Sequence, residues 1–179
     1  MGRIKLPHFG MRKVKTLLAV FVGFWIWQLV RLLVPALEVH PIYIYIYGII
    51  EIRESSEKTI DFGKLRIKTT LVALLIGLPM IALSVFLRSL TAVPSVELLI
   101  EMAVILVGIL LVLFAAEAVG CKNFCGLAAA IFVILVVLHT DGEPLTYSVL
   151  RAVQTVLGVA VAWLINVKLL PYPERKKDD

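Results

Sequence analysis

Four long, predominantly apolar stretches constrain what this chain can fold into. They cover residues 14–34, 69–87, 98–119 and 147–170. A helix needs about 20 such residues to cross the hydrocarbon layer of a membrane. The chain is also 60% hydrophobic over 179 residues, whereas globular chains are about 45–50% apolar. Because too little polar surface is left to coat a soluble body of this size, we predict an all-α integral membrane protein.

Two shorter apolar stretches, residues 37–52 and 123–139, complete a predicted six-span transmembrane helix bundle. The first of them is the weaker prediction, because the alternation of Ile and Tyr from Ile42 to Tyr47 has the period of a strand. A single strand cannot cross lipid with its backbone groups unpaired, so we expect a broken or tilted helix. Residues 51–68 mix both signs of charge, and we expect a cytoplasmic loop or an amphipathic helix at the headgroups.

The distribution of basic residues predicts the orientation. With the N-terminus in the cytoplasm and six spans, 15 of the 18 Lys and Arg residues fall on the inner side, as the positive-inside rule requires. Without the second span, the basic cluster of residues 53–68 would move outside. We expect a six-helix domain over residues 1–171, a short charged tail over residues 172–179, both termini in the cytoplasm, and a location in the bacterial inner membrane. The basic and then apolar N-terminus is interpreted as a retained span rather than a removed signal.

A pattern of Arg, Thr and small residues occurs three times. The copies are Arg12-x3-Thr16-x2-Ala19-x3-Gly23, Arg66-x3-Thr70-x2-Ala73-x3-Gly77 and Arg151-x3-Thr155-x2-Gly158-x3-Ala162. At about 100° per residue these positions share one helix face. The second and third copies open the last span of each half, which is compatible with an inverted 3+3 repeat and a central site near the two short spans. Such stripes also recur in membrane helices for packing alone, so both interpretations stay open.

Three arginines, Arg31, Arg88 and Arg151, fall on the outer side, where basic residues are scarce in this chain. A guanidinium at membrane depth costs about 2.5–3.5 kcal/mol on insertion scales, so a partner or a hydrated cavity is expected. The structural interpretation is ion pairing with nearby acids. The functional one is an anion-attracting vestibule, because a guanidinium binds both oxygens of a carboxylate. Glu101, the most embedded acid, is either a proton-coupling carboxylate or the partner of an arginine.

The other candidates also carry two interpretations each. Arg12 and Arg66 either snorkel to the inner interface or line an anion pathway. Thr16, Thr70 and Thr155 either bond back to their own helix or contact the anion.

Structural roles are predicted for several other small and polar residues. We predict that helices pack at Gly23, Gly77, Gly158 and Ala162. Asn166 is predicted either to make a hydrogen bond between helices or to cap a helix end. Glu51 is expected to snorkel at an inner helix end.

No catalytic constellation is visible, so we predict neither an enzyme nor a cofactor or metal. Cys121 and Cys125 are interpreted as small apolar residues at a helix start rather than as a metal or redox pair. The basic residues lie at the ends and in one loop, which indicates membrane topology and not a nucleic-acid partner.

Two segments resemble the bacterial aromatic acid exporter family, which is grouped with the fusaric-acid-resistance-like transporters. They are the opening Gly10-Met11-Arg12-Lys13-Val14-Lys15-Thr16 and the last span, Arg151-x3-Thr155-x2-Gly158-x3-Ala162-x3-Asn166-x4-Pro171. The resemblance implies a six-helix membrane domain, often dimeric, that exports aromatic or other small organic acids. This chain departs from the family in having Thr69 where many members have Gly. Many members also carry a C-terminal cytoplasmic domain, and here we expect only the short charged tail after Pro171.

These observations together predict a transporter of small organic anions that works as a homodimer in membrane lipid. Its arginines are predicted to attract the anion. The alternatives are a non-transporting membrane scaffold or partner subunit, and a passive anion channel.

Overall fold

The structure, a computed structural model, describes residues 10–34, 40–91, 93–137 and 144–171. Within these ranges every regular element is helical, which confirms the predicted all-α class. The six α-helices are α1 (Met11–Leu33), α2 (Ile42–Ile50), α3 (Ser56–Ser89), α4 (Pro94–Ala118), α5 (Cys125–Val137) and α6 (Pro144–Trp163). A 3-10 turn, Lys122–Phe124, leads into α5, and a π-helical segment, Leu164–Leu169, continues α6.

Four helices are long and apolar enough to cross a membrane: α1, α3, α4 and the helical stretch Thr146–Leu169. They coincide with the four long apolar stretches of the sequence. The two short helices differ from them in length. α2 has 9 residues, which corresponds to about 14 Å at 1.5 Å per residue, about half of the roughly 30 Å hydrocarbon layer. Length and composition therefore support four spans, while α2 and α5 stand in the positions of the second and fifth predicted spans.

The third span begins much earlier than the sequence suggested. Of the two alternatives expected over residues 51–68, the loop is wrong for residues 56–68, which are helical and continuous with the third span in α3. The cause is local: Ser55 Oγ accepts a hydrogen bond from the backbone N–H of Lys58 at 3.2 Å, the geometry of an N-cap. Glu57 adds a favourable acid to the first turn.

The turn between α4 and α5 follows directly from one glycine. Gly120 has φ +80°, a left-handed conformation that glycine adopts without steric cost. The N–H of Cys121 donates to the carbonyl of Ala116 at 2.8 Å and the N–H of Gly120 to that of Glu117 at 3.0 Å. This pair of bonds is a Schellman motif, which satisfies the last carbonyls of α4 and ends the helix.

The chain divides into two compact units. Unit 1 holds the described residues of Met1–Gly63 and Gln154–Asp179, and unit 2 those of Lys64–Val153. The core of unit 1 is built from small and branched residues, namely Ala19, Ile52, Val161, Ala162 and Ile165. The core of unit 2 is larger and centres on the buried side chains of α5, including Ile131, Phe132 and Leu135.

In unit 1 the short helix α2 packs against the small-residue stripes of α1 and α6. A Cβ built on Gly23 would lie 2.7 Å from Cγ2 of Ile44, and one built on Gly158 would lie 2.8 Å from Cβ of Tyr47. Gly48 of α2 also faces Ala19, where a built Cβ would lie at an ordinary contact distance of 3.5 Å from the Ala19 Cβ. A Cβ at Gly23 or Gly158 would require its neighbours to shift, so the first and third stripes act here as packing faces.

In unit 2 the other short helix, α5, packs against glycines of α3 and α4. A Cβ on Gly77, the stripe glycine of the second copy, would lie 2.5 Å from Cδ2 of Leu135. Gly108 of α4 lies directly against the ring of Phe132. The glycines Gly23 and Gly158 therefore contact α2, and Gly77 contacts α5.

Candidate functional site

Lys15 is the centre of a buried polar network in unit 1. Its side chain is fully buried, and its Nζ donates to Oδ1 of Asn166 at 2.7 Å. The Nδ2 of Asn166 donates to Oγ1 of Thr59 at 2.6 Å and to the carbonyl of Arg53 at 3.0 Å. One amide thus connects α1, the segment that precedes α3, and α3 itself.

Asn166 occupies an unusual backbone position. It lies in the π-helical segment, where the N–H of Leu170 donates to the carbonyl of Ile165 at 2.9 Å. This i→i−5 bond widens the helix, and such segments occur frequently at functional sites. The hydroxyl of Ser56 donates to the backbone carbonyl of Asn166 at 3.4 Å, so both the side chain and the backbone of this residue join the network.

Two charged residues of unit 1 differ from their sequence interpretation. Glu51 was expected to snorkel to an interface, but its side chain is fully buried. Lys15 counted as one more basic residue at the inner end of a span, yet it lies among the largest fully buried side chains of the described residues. Spacing along the sequence carries no signal for the burial of Lys15, because its partner Asn166 is 151 residues away.

The start of α2 is held by a buried glutamine of α6. The Nε2 of Gln154 donates to the carbonyl of His40 at 3.1 Å, and its Oε1 accepts from the backbone N–H of Tyr43 at 3.4 Å. The first N–H groups of a helix have no partner within the helix. Gln154 therefore caps α2 from a neighbouring helix, which compensates for the missing side-chain cap at Pro41.

Two further cations are buried in unit 2. Arg66 is 4% exposed and Arg151 is 2% exposed. Both open copies of the threefold pattern, whereas Arg12, which opens the first copy, is exposed. The three equivalent arginines thus lie in different environments, and the pattern alone does not predict burial.

The threonines of the pattern have a local role that its spacing explains. Oγ1 of Thr16 donates to the carbonyl of Arg12 at 2.9 Å, and Oγ1 of Thr70 donates to that of Arg66 at 2.9 Å. A hydroxyl four residues after a carbonyl commonly makes this bond inside helices. Thr69 also donates to the Arg66 carbonyl, at 3.0 Å. Thr155 of the third copy is buried.

The residues that the sequence predicts on the outer side of the membrane differ in their surroundings. Nη2 of Arg88 and Oε2 of Glu101 form an ion pair at 2.6 Å, with the side chains 31% and 35% exposed. Arg31 is exposed on α1 and lines a shallow groove with Phe24, Trp25, Gln28 and Leu32. The structure therefore brings together Arg88 and Glu101, one of the pairings that the sequence left open.

A basic pocket lies in unit 1 beside the buried network. It has a volume of about 220 Å³ and is lined by Arg12, Arg53, Glu54, Lys58 and Phe62. Cζ of Arg53 lies 4.2 Å from the centroid of the Phe62 ring, a cation–π contact. The lining thus has three cations and a single carboxylate, which gives the pocket a net positive charge. Of these lining residues, sequence analysis singled out Arg12 alone.

Cys121 and Cys125 lie at the turn that leads into α5. Cys121 is buried, and Sγ of Cys125 donates to the Cys121 carbonyl at 3.4 Å. Across the part of the chain that the structure describes, no group of three or more His, Cys, Asp or Glu could hold a metal ion.

The fold defines an all-helical protein with four helices that are long and apolar enough to span a membrane. Comparison with protein-family models, with curated proteins and with solved structures finds no match. The resemblance to the aromatic acid exporter family therefore stays a prediction.

Proposed function

We propose that this chain is a membrane transporter of small organic anions, an exporter of aromatic or other organic acids that works as a homodimer in the bacterial inner membrane. The observation that carries the proposal is the burial of three cations, Lys15, Arg66 and Arg151, in helices that are otherwise apolar enough to cross a membrane. Ionisable residues inside membrane helices are costly, and they typically mark ion or substrate pathways. Lys15 is bonded to Asn166 within a buried network, so Arg66 and Arg151 are the candidates for contact with the anion.

In this proposal the guanidinium groups of Arg66 and Arg151 bind the anion. The threonines of the pattern do not contact it. The hydroxyl protons of Thr16 and Thr70 are engaged by the carbonyls of their own helices, so they are not offered to a substrate. Arg66 and Arg151 provide the planar, permanently charged donors that match a carboxylate. Thr16 and Thr70 act instead on the backbone of the turn that carries each arginine.

The ion pair between Arg88 and Glu101 supports the proposal that anion binding is coupled to proton binding. While Glu101 is ionised, its carboxylate occupies Arg88 at 2.6 Å. Protonation of Glu101 would remove that charge and release Arg88 for an anion. Binding of a proton to Glu101 and binding of an anion to Arg88 would then be coupled at one pair of side chains, whichever direction the anion moves.

We retain six spans and cytoplasmic termini as part of the proposal. Support comes from the positive-inside distribution of Lys and Arg and from the position of the short helices. α2 packs on the glycines Gly23 and Gly158, and α5 packs on Gly77. Short helices at matching positions of two halves are the pattern of inverted-repeat transporters, whose site lies beside such helices.

Transport by the purified chain in proteoliposomes tests the proposal. Labelled benzoate, an aliphatic carboxylate and a neutral analogue such as benzamide would be compared, in vesicles with and without protein. We expect protein-dependent flux of at least one carboxylate and none of the amide. Arg66→Gln should reduce that flux by about tenfold or more, while Lys64→Gln, an exposed cation on the same helix, should leave it unchanged. Absence of flux for every carboxylate would contradict the proposal.

A non-transporting scaffold or partner subunit is the second candidate, favoured by one observation. The stripe glycines Gly23, Gly77 and Gly158 are all occupied by helix packing within their units, as a purely structural role requires. Copurification of a stoichiometric partner, together with no flux by the chain alone, would favour this function. A passive anion channel would instead conduct anions with no dependence on a proton gradient.

A further inference from the structure

We propose that the basic pocket of unit 1 binds a phosphate group, supplied by the headgroup of an anionic phospholipid. The pocket is lined by Arg12 in the first turn of α1, by Arg53 and Glu54 just before α3, and by Lys58 and Phe62 in the first two turns of α3. Its ligand need not be the transported anion, and its chemistry does not depend on transport.

Contacts within unit 1 fix the conformation of Arg53 before an anion binds. Its carbonyl accepts from Nδ2 of Asn166 at 3.0 Å, and its backbone N–H donates to Oγ1 of Thr59 at 3.3 Å. One face of its guanidinium is covered by the Phe62 ring at 4.2 Å. Backbone and side chain are thus both oriented before any ligand arrives, which lowers the entropic cost of binding.

The donor that points to a missing acceptor is Nε of Arg53. This atom is buried and has no hydrogen-bond partner among the described residues. More than 90% of buried polar groups in proteins are paired, so each exception calls for an explanation such as a bound ion. Because Nε is buried, an anion oxygen reaches it only if the Arg53 side chain turns toward the pocket, whereas the charge of the guanidinium acts on an anion in the pocket without that movement.

The acid in the pocket does not neutralise it. Glu54 lies 4.0 Å from Nζ of Lys58, with the two side chains 79% and 63% exposed. Exposed pairs of this kind contribute little, so Lys58 can turn from Glu54 to a better acceptor at small cost. A phosphate offers several oxygens at once to a fork-shaped Arg and to the point charge of a Lys.

The position of the pocket selects a lipid as the source of that phosphate. Arg12 lies in the first turn of α1, a helix long and apolar enough to span a membrane. The end of such a helix lies at the depth of the headgroups, and basic pockets there bind anionic lipids on the cytoplasmic side. The free aqueous phosphate ion has the same chemistry, and the experiment below distinguishes the two sources.

Thermal unfolding of the full chain in a neutral detergent tests the proposal. Phosphatidylglycerol, phosphatidylcholine and inorganic phosphate would be titrated separately. We expect saturable stabilisation by phosphatidylglycerol, a much smaller effect of phosphatidylcholine, and none of inorganic phosphate at equal concentration. Stabilisation by inorganic phosphate with no gain from phosphatidylglycerol would overturn the lipid as the source.

Variants locate the effect in the pocket. Arg53→Gln should weaken phosphatidylglycerol binding by about tenfold or more, and Arg53→Lys should restore only part of it because the planar fork of the guanidinium is lost. Lys58→Gln, a change at an exposed side chain that does not endanger folding, should weaken binding less. The matched control is Lys122→Gln, which removes one exposed charge in unit 2. Equal binding by all variants, or an equal loss in the control, would overturn the proposal.

Discussion

Gly158 of α6 lies against the backbone of Ile44 in α2, so that a Cβ on Gly158 would be 3.0 Å from the Ile44 carbonyl oxygen and 3.2 Å from its Cα. Gly23 of α1 meets Ile44 too, but through the Cγ2 methyl group of its side chain. One residue of the short helix is therefore enclosed by glycines from two copies of the same sequence pattern. This relationship explains how a helix of 9 residues keeps a defined place in unit 1.

Gly158→Ala should destabilise the protein, because the new methyl group meets backbone atoms that can retreat only if α2 shifts. Overpacking of this kind typically costs about 1–3 kcal/mol, which exceeds the helix propensity that Ala adds. Thermal unfolding in detergent measures the effect. Gly126→Ala is the matched control, since Gly126 lies in α5 with nothing within 4 Å of its built Cβ, and it should be neutral or stabilising. An equal melting temperature for both variants would contradict the packing described here.

Lys15 and Asn166 should be energetically coupled. Lys15→Met leaves a buried carbonyl without this donor, and Asn166→Leu leaves a buried ammonium without this acceptor. We expect each single variant to be clearly destabilised, and the double variant to be less destabilised than the sum. A hydrogen bond to a charged group contributes about 1.5–3 kcal/mol, so the coupling in a double-mutant cycle should lie on that order. Lys64→Met, at an exposed position of α3, serves as control. Strict additivity would show that the bond between the two side chains carries no stability.

Glu101→Gln should alter transport more than stability. The side chains of Arg88 and Glu101 are each about one third exposed, so their pairing should contribute less than about 1 kcal/mol. If protonation of Glu101 releases Arg88, the Gln variant resembles the protonated state at every pH. Its anion flux should then lose the proton dependence of the parent protein while its melting temperature changes little. Unchanged proton dependence of flux in Glu101→Gln would remove Glu101 from the coupling step.

Single cysteines should report whether α2 crosses the membrane. In a background with Cys121→Ala and Cys125→Ala, we expect Glu54→Cys and Lys122→Cys to be protected from a membrane-impermeant maleimide in intact cells. Ser95→Cys should be labelled from outside. All three native side chains are exposed, so access to the reagent depends on membrane side. If α2 does not cross and the N-terminus is cytoplasmic, the three results would be reversed, and the six-span topology would be wrong.

The long helices could be predicted from the sequence because their signal is local. An apolar stretch of about 20 residues is stable in lipid as a helix. The helices of sufficient length and apolarity are α1, α3, α4 and the stretch Thr146–Leu169. For the first turns of α3 the sequence left a loop and a helix open, because mixed charges hide helical periodicity. The bonds from Thr16 and Thr70 to carbonyls four residues earlier explain part of the repeated pattern, which sequence analysis also connected with an anion pathway.

The buried network could not be predicted from the sequence. A lysine at the start of an apolar run ordinarily snorkels to the interface, and only the contact with Asn166, 151 residues away, shows that Lys15 does not. The basic pocket was missed for a similar reason. Arg12 reaches it from α1, whereas Arg53 and Phe62 come from the segment around the start of α3, and no spacing in the chain relates the two.

The most direct test of the central claim is the rate of labelled benzoate exchange in proteoliposomes with Arg151→Gln, Arg151→Lys and the exposed control Lys64→Gln, each first shown to be folded by its melting temperature. If buried cations serve the anion, Arg151→Gln should lose about tenfold or more of the exchange rate. Arg151→Lys should recover part of it, and the control should match the parent protein. Exchange by Arg151→Gln at the parental rate, for benzoate and for an aliphatic carboxylate alike, would contradict the account.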